Sequence, residues 1–131
     1  MLKGTCHCGA INWSLNEVPT LATACNCTMC RRYGVLWAYG ALGEDVELTG
    51  SAHAYRRSDL DGGIDFFFCP ECGCVTHYIG VSSQSNQRFA AVNLRMAEPD
   101  LIAEIPIRHF DGLSTFKPLP ETGTTLKDLW A

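Results

Sequence analysis

The sequence has 131 residues, of which 47% are hydrophobic, and it carries a formal net charge of −4. This length suits one domain with an ordinary buried core, so we treat residues 1–131 as a single domain. No apolar run approaches the ~20 residues that a membrane-spanning helix needs, and the sequence therefore predicts a soluble protein without a membrane segment. The net negative charge argues against general nucleic-acid binding. Nothing in the sequence indicates an oligomeric state.

Short runs of β-branched and aromatic residues, separated by Gly, Asn, Asp or Pro, predict a mainly β fold of short antiparallel sheets. The predicted strands cover residues 10–15, 35–39, 46–48, 52–56, 64–68, 75–79, 88–94 and 105–110. Helical signal is limited to residues 28–33 and to residues 124–130, which begin with a threonine that can cap a helix. We therefore expect one or two short helices beside the sheets.

Two cysteine pairs lie far apart in the chain, and each is followed by a glycine. Four thiolates match the tetrahedral coordination of zinc, with sulfur ligands at about 2.3 Å. A glycine behind each pair allows the backbone to turn through positive φ and to direct N–H groups at the sulfurs. The spacing predicts one structural zinc that staples the N-terminal hairpin to the middle of the sheet, bound by Cys6, Cys8, Cys69 and Cys72.

A disulfide framework is the alternative use of the eight cysteines. No apolar export segment precedes Cys6, and closely spaced cysteines such as Cys6 and Cys8 bridge each other poorly. A reducing compartment keeps thiols free, and clustered thiols there are more often metal ligands than bridges. We therefore expect a cytoplasmic protein with free thiols.

A second cysteine cluster, formed by Cys25, Cys27 and Cys30, occupies six consecutive residues. Three thiolates leave one coordination position of a tetrahedral zinc open, which is typical of catalytic rather than structural sites. That position could take water, a substrate oxygen or a substrate thiolate. Cys74 would close the site if its thiol reached it, although we favour a small buried thiol at this position.

Three further residues are candidates for binding substrate. Arg31 and Arg32 follow Cys30 directly, and a guanidinium there could bind a substrate carboxylate through two parallel hydrogen bonds. Solvated surface arginines are the alternative, because a short helical turn commonly turns such side chains to water. Asn93 lies near the end of a predicted strand, where it could line a cleft or form a turn.

Four ordered motifs resemble the glutathione-dependent formaldehyde-activating enzyme family, also called the centromere protein V and formaldehyde-activating group. The resemblance covers most of the chain. The motifs are Gly4-Thr5-Cys6-His7-Cys8-Gly9-Ala10-Ile11, Cys25-Asn26-Cys27-Thr28-Met29-Cys30-Arg31-Arg32-Tyr33-Gly34, Phe68-Cys69-Pro70-Glu71-Cys72-Gly73 and Val92-Asn93-Leu94-Arg95. Cys74 departs from the family pattern, which usually has a small hydroxyl residue after the second pair.

The resemblance implies an Mss4-like fold, a tent of β-sheets with two zinc ions per chain. It implies that the zinc of the three-cysteine cluster is labile and responds to glutathione. The reaction that it implies joins formaldehyde to glutathione to give S-hydroxymethylglutathione, which is a carbon–sulfur lyase reaction run in reverse. The expected substrates are a small thiol such as glutathione and an aldehyde or other electrophile.

A zinc-stapled binding module without catalysis, as Mss4 is for small GTPases, is the alternative function. That reading predicts metals that do not exchange and an exposed apolar patch larger than a few hundred Å².

Overall fold

The structure is a computed structural model and describes residues 1–59 and 64–129. Within these residues the chain forms eleven short strands, two four-residue α-helices and two 3₁₀ turns. The strands are β1 (Leu2–Thr5), β2 (Asn12–Leu15), β3 (Ala22–Cys25), β4 (Trp37–Ala41), β5 (Val46–Thr49), β6 (His53–Arg56), β7 (Asp65–Phe68), β8 (Val75–Val81), β9 (Arg88–Asn93), β10 (Ile107–Asp111) and β11 (Lys117–Pro118). The helices are α1 (Cys30–Tyr33) and α2 (Pro99–Ile102), and the 3₁₀ turns cover Leu94–Met96 and Leu126–Leu129.

The predicted mainly β fold is confirmed, and each of the eight predicted strands overlaps an observed one. The sequence did not reveal β1, β3 or β11. The predicted helix over residues 28–33 begins later, at Cys30. The segment 124–130 forms a 3₁₀ turn over Leu126–Leu129, and Trp130 lies outside the described residues.

None of the described helices is long and apolar enough to cross a membrane.

The strands form two sheets. The small sheet has the order β1-β2-β5, and the large sheet has the order β11-β10-β3-β4-β9-β8-β7-β6. The strand pairs are antiparallel, as predicted, except for β3 and β10, which run parallel. In the described part of the chain neither sheet closes on itself.

The main hydrophobic core contains side chains from both sheets. Trp13 and Leu15 of the small sheet belong to the same buried cluster as Ala38 and Val92 of the large sheet. Successive side chains of a strand point to opposite faces, so the neighbours of these residues lie on the other face of the large sheet. Trp37 and Ala91 accordingly belong to a second cluster, which includes cysteines of the three-cysteine cluster. The large sheet thus separates the main core from a face that carries the candidate site.

Candidate metal centres

The structure brings together the two cysteine pairs that the sequence predicts to share a metal. Cys6 and Cys8 lie in the turn between β1 and β2, and Cys69 and Cys72 lie in the turn between β7 and β8. Their four Sγ atoms all lie within 4.8 Å of one another. The Cys8 and Cys69 sulfurs are 3.5 Å apart although 61 residues separate them in the chain. We call this group the four-cysteine cage.

The backbone around the cage has the predicted turn geometry. Gly9 and Gly73 have φ values of +86° and +79°, which a residue with a side chain rarely adopts. The Ile11 N–H donates to Cys6 Sγ at 3.3 Å. Backbone N–H groups of Cys74 and Cys8 lower the pKa of Cys72 to about 5. These backbone N–H groups therefore stabilise the thiolates of Cys6 and Cys72, whereas the neighbouring sulfurs raise the pKa of Cys8. Thiolate is the form in which cysteine binds a metal.

Cys74 packs beside the four-cysteine cage. It contacts the hydrophobic cluster that contains Cys6 and Cys69. Its sulfur belongs to neither group of mutually close sulfur ligands found among the described residues. The three-cysteine cluster therefore has no fourth cysteine in this arrangement. All eight cysteines are free thiols rather than disulfides.

The second group, the three-cysteine cluster, is built from a single segment of chain. Cys25 ends β3, Cys27 lies in the following loop and Cys30 begins α1. The three Sγ atoms also lie within 4.8 Å of one another. The Cys27 N–H donates to Cys25 Sγ at 3.4 Å, and the Cys30 N–H donates to Cys27 Sγ at 3.3 Å. The segment therefore stabilises its own sulfurs with its own backbone.

Two residues outside the segment fix its position. Trp37 is buried, and its indole Nε1–H donates to Cys30 Sγ at 3.3 Å. Gly112 lies directly against Cys25, because a Cβ at position 112 would be 2.5 Å from the Cys25 Sγ. Only glycine fits that approach without moving the sulfur. No pattern in the sequence indicates that Trp37 or Gly112 lies beside these cysteines.

An amide in the cysteine segment ties it to the loop that contains Gly112. Asn26 Nδ2 donates to Asp111 Oδ1 at 3.2 Å, and the Leu113 N–H donates to Asn26 Oδ1 at 3.0 Å. Asp111 also accepts hydrogen bonds from the backbone of Ser114 and Thr115. These bonds from Thr115, Asn26 and Ser114 lower the pKa of Asp111 to about 2. The loop is therefore held against the cluster by a carboxylate that stays ionised.

The electrostatics of the three sulfurs favour a cation. The Cys30 thiol donates to Cys25, and with the N–H groups of Cys27 and Gly112 this lowers the pKa of Cys25 to about 5. The same contact and burial raise the pKa of Cys30. Without a cation the sulfurs must share protons, because buried thiolates in contact repel each other. A bound divalent ion removes this conflict, and the all-sulfur donor set suits zinc.

Arg57 is a charged neighbour of the cluster that the sequence did not point to. Its Nη1 lies 3.8 Å from Cys27 Sγ, and its Nη2 donates to Thr28 Oγ1 at 3.0 Å. An ion pair with Asp59 at 2.8 Å holds the guanidinium in place, and the Arg57 side chain is only 11% exposed. Its positive charge opposes the excess negative charge of three thiolates around a divalent ion.

The predicted substrate-binding residues occupy different environments. Arg31 and Arg32 are exposed on α1, and Arg32 Nη1 donates to the Thr28 carbonyl at 2.8 Å. Asn93 is buried at the end of β9. Its Nδ2 donates to the Val75 carbonyl at 2.8 Å, and its Oδ1 accepts from the backbone of Leu36 and Arg95. Asn93 thus uses its amide to join backbone segments, while Arg31 keeps an exposed guanidinium next to Cys30.

One protein family and one solved structure are similar to this chain. The model of the glutathione-dependent formaldehyde-activating enzyme family matches residues 1–104, which include both cysteine groups. A crystal structure of a Rhodobacter sphaeroides protein, determined by a structural genomics consortium, superposes with a TM-score of 0.60 at 27% sequence identity. The alignment covers 81% of this chain and 99% of that one. No protein with a curated description gives a significant match.

Proposed function

Since the chain belongs to the glutathione-dependent formaldehyde-activating enzyme family, we propose that it forms or cleaves the carbon–sulfur bond of a thiol adduct such as S-hydroxymethylglutathione. The observation that carries this proposal is the three-cysteine cluster, in which three sulfurs converge and no fourth cysteine joins them. A closed structural site would need a fourth protein ligand, and the four-cysteine cage of the same chain has one.

We propose zinc as the metal of both groups. The cage would hold a structural ion through Cys6, Cys8, Cys69 and Cys72, and the cluster would hold a catalytic ion through Cys25, Cys27 and Cys30. When bound in the cluster, zinc would supply a Lewis acid that favours the ionised form of a thiol or polarises an aldehyde carbonyl. The residues of the chain would position the sulfurs and balance their charge.

The chain's own residues hold the cluster and balance its charge. The backbone N–H groups of Cys27 and Cys30 and the indole N–H of Trp37 fix the sulfurs. Arg57 opposes their negative charge from the Cys27 side. Donors that contact the ligand atoms in this way orient them, which is the usual role of the residues around a metal site.

The proposed reaction is a reversible addition without a change in oxidation state. The thiol sulfur forms a bond to the formaldehyde carbon, the carbonyl π electrons move to the oxygen, and the thiol proton ends on that oxygen. Cleavage reverses each step. A thiol that carries carboxylates needs cationic partners near the cluster, and the exposed Arg31 beside Cys30 is our proposed contact for one of them, with Arg32 next to it.

A cytoplasmic location suits this chemistry, and we propose it. The eight free thiols need a reducing compartment to stay free and to bind metal. Glutathione is itself a thiol of such compartments, so substrate and metal ligands require the same conditions.

Exchange spectroscopy by NMR with ¹³C-formaldehyde and glutathione tests the proposal. The zinc-loaded protein should increase the exchange rate between free aldehyde and adduct above the rate in buffer. Cys27→Ser should return the rate to that of buffer, because it removes one ligand of the cluster. Cys74→Ser is the matched control, since Cys74 belongs to neither sulfur group, and it should keep the activity. A wild-type rate equal to that in buffer would contradict the proposal.

A further inference from the structure

An open cavity of about 530 Å³ lies beside the candidate site and has no role in the proposal so far. One wall is the large sheet, represented by Thr23 of β3, Tyr39 of β4 and Arg108 of β10. Most of the remaining lining comes from the segment that joins β2 to β3, from Asn16 to Leu21. The volume falls within the range of small-molecule binding sites.

Arg108 has an incomplete set of hydrogen bonds. Its Nε is buried and has no hydrogen-bond partner among the described residues. Its Nη2 donates weakly to Thr23 Oγ1 at 3.4 Å, and none of the ion pairs in the described part of the chain includes it. A buried donor without an acceptor is costly, and guanidinium groups bind carboxylates with particularly suitable geometry. The cavity is therefore lined by a guanidinium whose Nη groups make one weak hydrogen bond within the described residues.

Two carboxylates also line the cavity and complement the charge of Arg108. Glu17 and Asp45 both line it, and Glu17 is exposed. A single anion such as phosphate would be repelled by these two groups. A ligand that carries one carboxylate and one ammonium would find an opposite charge for each of these groups in the cavity lining. The free α-amino-acid group at the γ-glutamyl end of glutathione carries this pair of charges.

The cavity lies on the sheet face that carries the three-cysteine cluster. Thr23 and Cys25 are two residues apart on β3 and therefore point to the same side of the sheet. Arg108 is the register partner of Thr23 on β10. From strand geometry, the Arg108 backbone lies about 8 Å from that of Cys25. An extended tripeptide spans about 10 Å, so one molecule could reach both places.

Aromatic side chains lie on the face of the large sheet that carries the cluster. Trp37, which donates to Cys30, has its ring centre 4.9 Å from that of Tyr78. Tyr78 in turn lies 6.4 Å from Tyr39, which lines the cavity. Trp37 is buried, but Tyr39 is exposed and Tyr78 is partly exposed, so these two rings give an extended ligand an apolar surface on which its middle part can lie.

We propose that this cavity binds the free α-amino-acid end of the thiol substrate, with the carboxylate on Arg108 and the ammonium facing Glu17 and Asp45. The inference rests on the proposed function only in its choice of thiol, because binding at the cavity does not require turnover. It assigns one substrate carboxylate to Arg108 and leaves the other to Arg31.

Calorimetric titration with S-methylglutathione, a thioether that cannot form the aldehyde adduct, tests the inference apart from catalysis. Arg108→Gln should weaken binding about tenfold or more, because it removes a charge-assisted contact. Arg88→Gln is the matched control: Arg88 is an exposed arginine on β9 of the same sheet, and its loss should leave the affinity within about twofold.

Two further measurements on the wild-type protein do not depend on how the variant folds. The analogue in which a glutaryl group replaces the γ-glutamyl group lacks only the ammonium and should bind about tenfold more weakly. NMR titration should shift the backbone N–H signals of residues 16–18, 20 and 21 and of Thr23, since Pro19 has no N–H. Equal binding by wild type and Arg108→Gln, or no shift in these amides, would overturn the inference even if the enzyme is active. Binding with the expected pattern but no turnover would instead contradict the proposed function alone.

Discussion

The four-cysteine cage and the three-cysteine cluster use the same side chain in two different ways. The cage joins two turns that are 61 residues apart, and Cys6 and Cys69 within it are fully buried. The cluster takes its three sulfurs from a single short segment and depends on neighbours such as Trp37 and Gly112 to hold it. A metal in the cage closes a long loop of chain, whereas a metal in the cluster closes almost none. Stability should therefore depend on the cage and reactivity on the cluster.

The largest expected effect comes from removing one ligand from each group and comparing the losses. Cys69→Ser should lower the free energy of unfolding by more than about 4 kcal/mol, which is roughly the chain entropy of closing a loop of this length. Cys27→Ser should lower it by only about 1–2 kcal/mol and abolish activity. Urea unfolding with zinc present measures both. Equal destabilisation by the two substitutions would remove the distinction between the groups.

The fold should lose stability in acid partly because of His77, which lies on β8, the strand that follows the second turn of the cage. Burial lowers the pKa of His77 to about 4 from its ordinary 6.5. Between these values the unfolded chain binds the proton and the folded chain does not. Stability should be complete above pH 6.5 and should fall by about 3 kcal/mol as the pH decreases towards 4.

The contribution of His77 can be separated from proton competition for the thiolates. His77→Gln removes the titrating group on β8 and leaves both cysteine groups unchanged. The difference in unfolding free energy between wild type and this variant should therefore change across pH 4 to 6.5 and be constant above it. A difference that does not vary with pH would show that the acid sensitivity belongs to the thiolates alone.

A methyl group at position 112 should loosen the cluster without touching the cage. Gly112→Ala places a Cβ against the Cys25 Sγ and must displace the sulfur. We expect the affinity for the second zinc to fall about 10- to 100-fold, as is usual when the surroundings of a ligand are disturbed. Chelator competition would measure this, with Ser114→Ala in the same loop as the control. Unchanged affinity for the second zinc would mean that Gly112 does not position Cys25.

The smallest effect should follow from the loss of one N–H donor. Trp37→Phe removes the hydrogen bond to Cys30 Sγ but keeps an aromatic ring in the core. The affinity of the cluster for metal should fall by up to about tenfold. The sulfur-to-metal charge-transfer band of the cobalt-substituted protein should shift as well. Tyr78→Phe keeps the ring contact with Trp37 and should leave the band in place; a shift of equal size there would assign the effect to packing.

Much of the fold and the grouping of the cysteines could be predicted from the sequence. Close spacing places Cys25, Cys27 and Cys30 together whatever the fold, and the paired motifs with following glycines identify the turns of the cage. β3 was not predicted because two of the four residues of Ala22–Cys25 are alanines, which are depleted in strands. Strand β11 has only two residues and gives no pattern at all.

The surroundings of the cluster could not be predicted, because they are assembled by topology. Gly112 reaches Cys25 through the parallel pairing of β10 with β3, and no local pattern indicates that pairing. Arg57 lies 30 residues from Cys27 and approaches it only after β6 has taken its place at the edge of the sheet. For Asn93 the sequence left a cleft and a turn as alternatives, and in the structure its amide bonds to three backbone groups, one of them the N–H of Arg95 in the turn that follows.

The measurement that tests the central distinction most directly is zinc per chain, by elemental analysis, before and after equilibration with millimolar glutathione. We expect about two ions to fall to about one, with the remaining ion lost only when the protein unfolds. The same experiment on Cys27→Ser should start near one ion and stay there. Two ions that never exchange would contradict the account, because both groups would then be closed structural sites and the binding-module alternative would gain support.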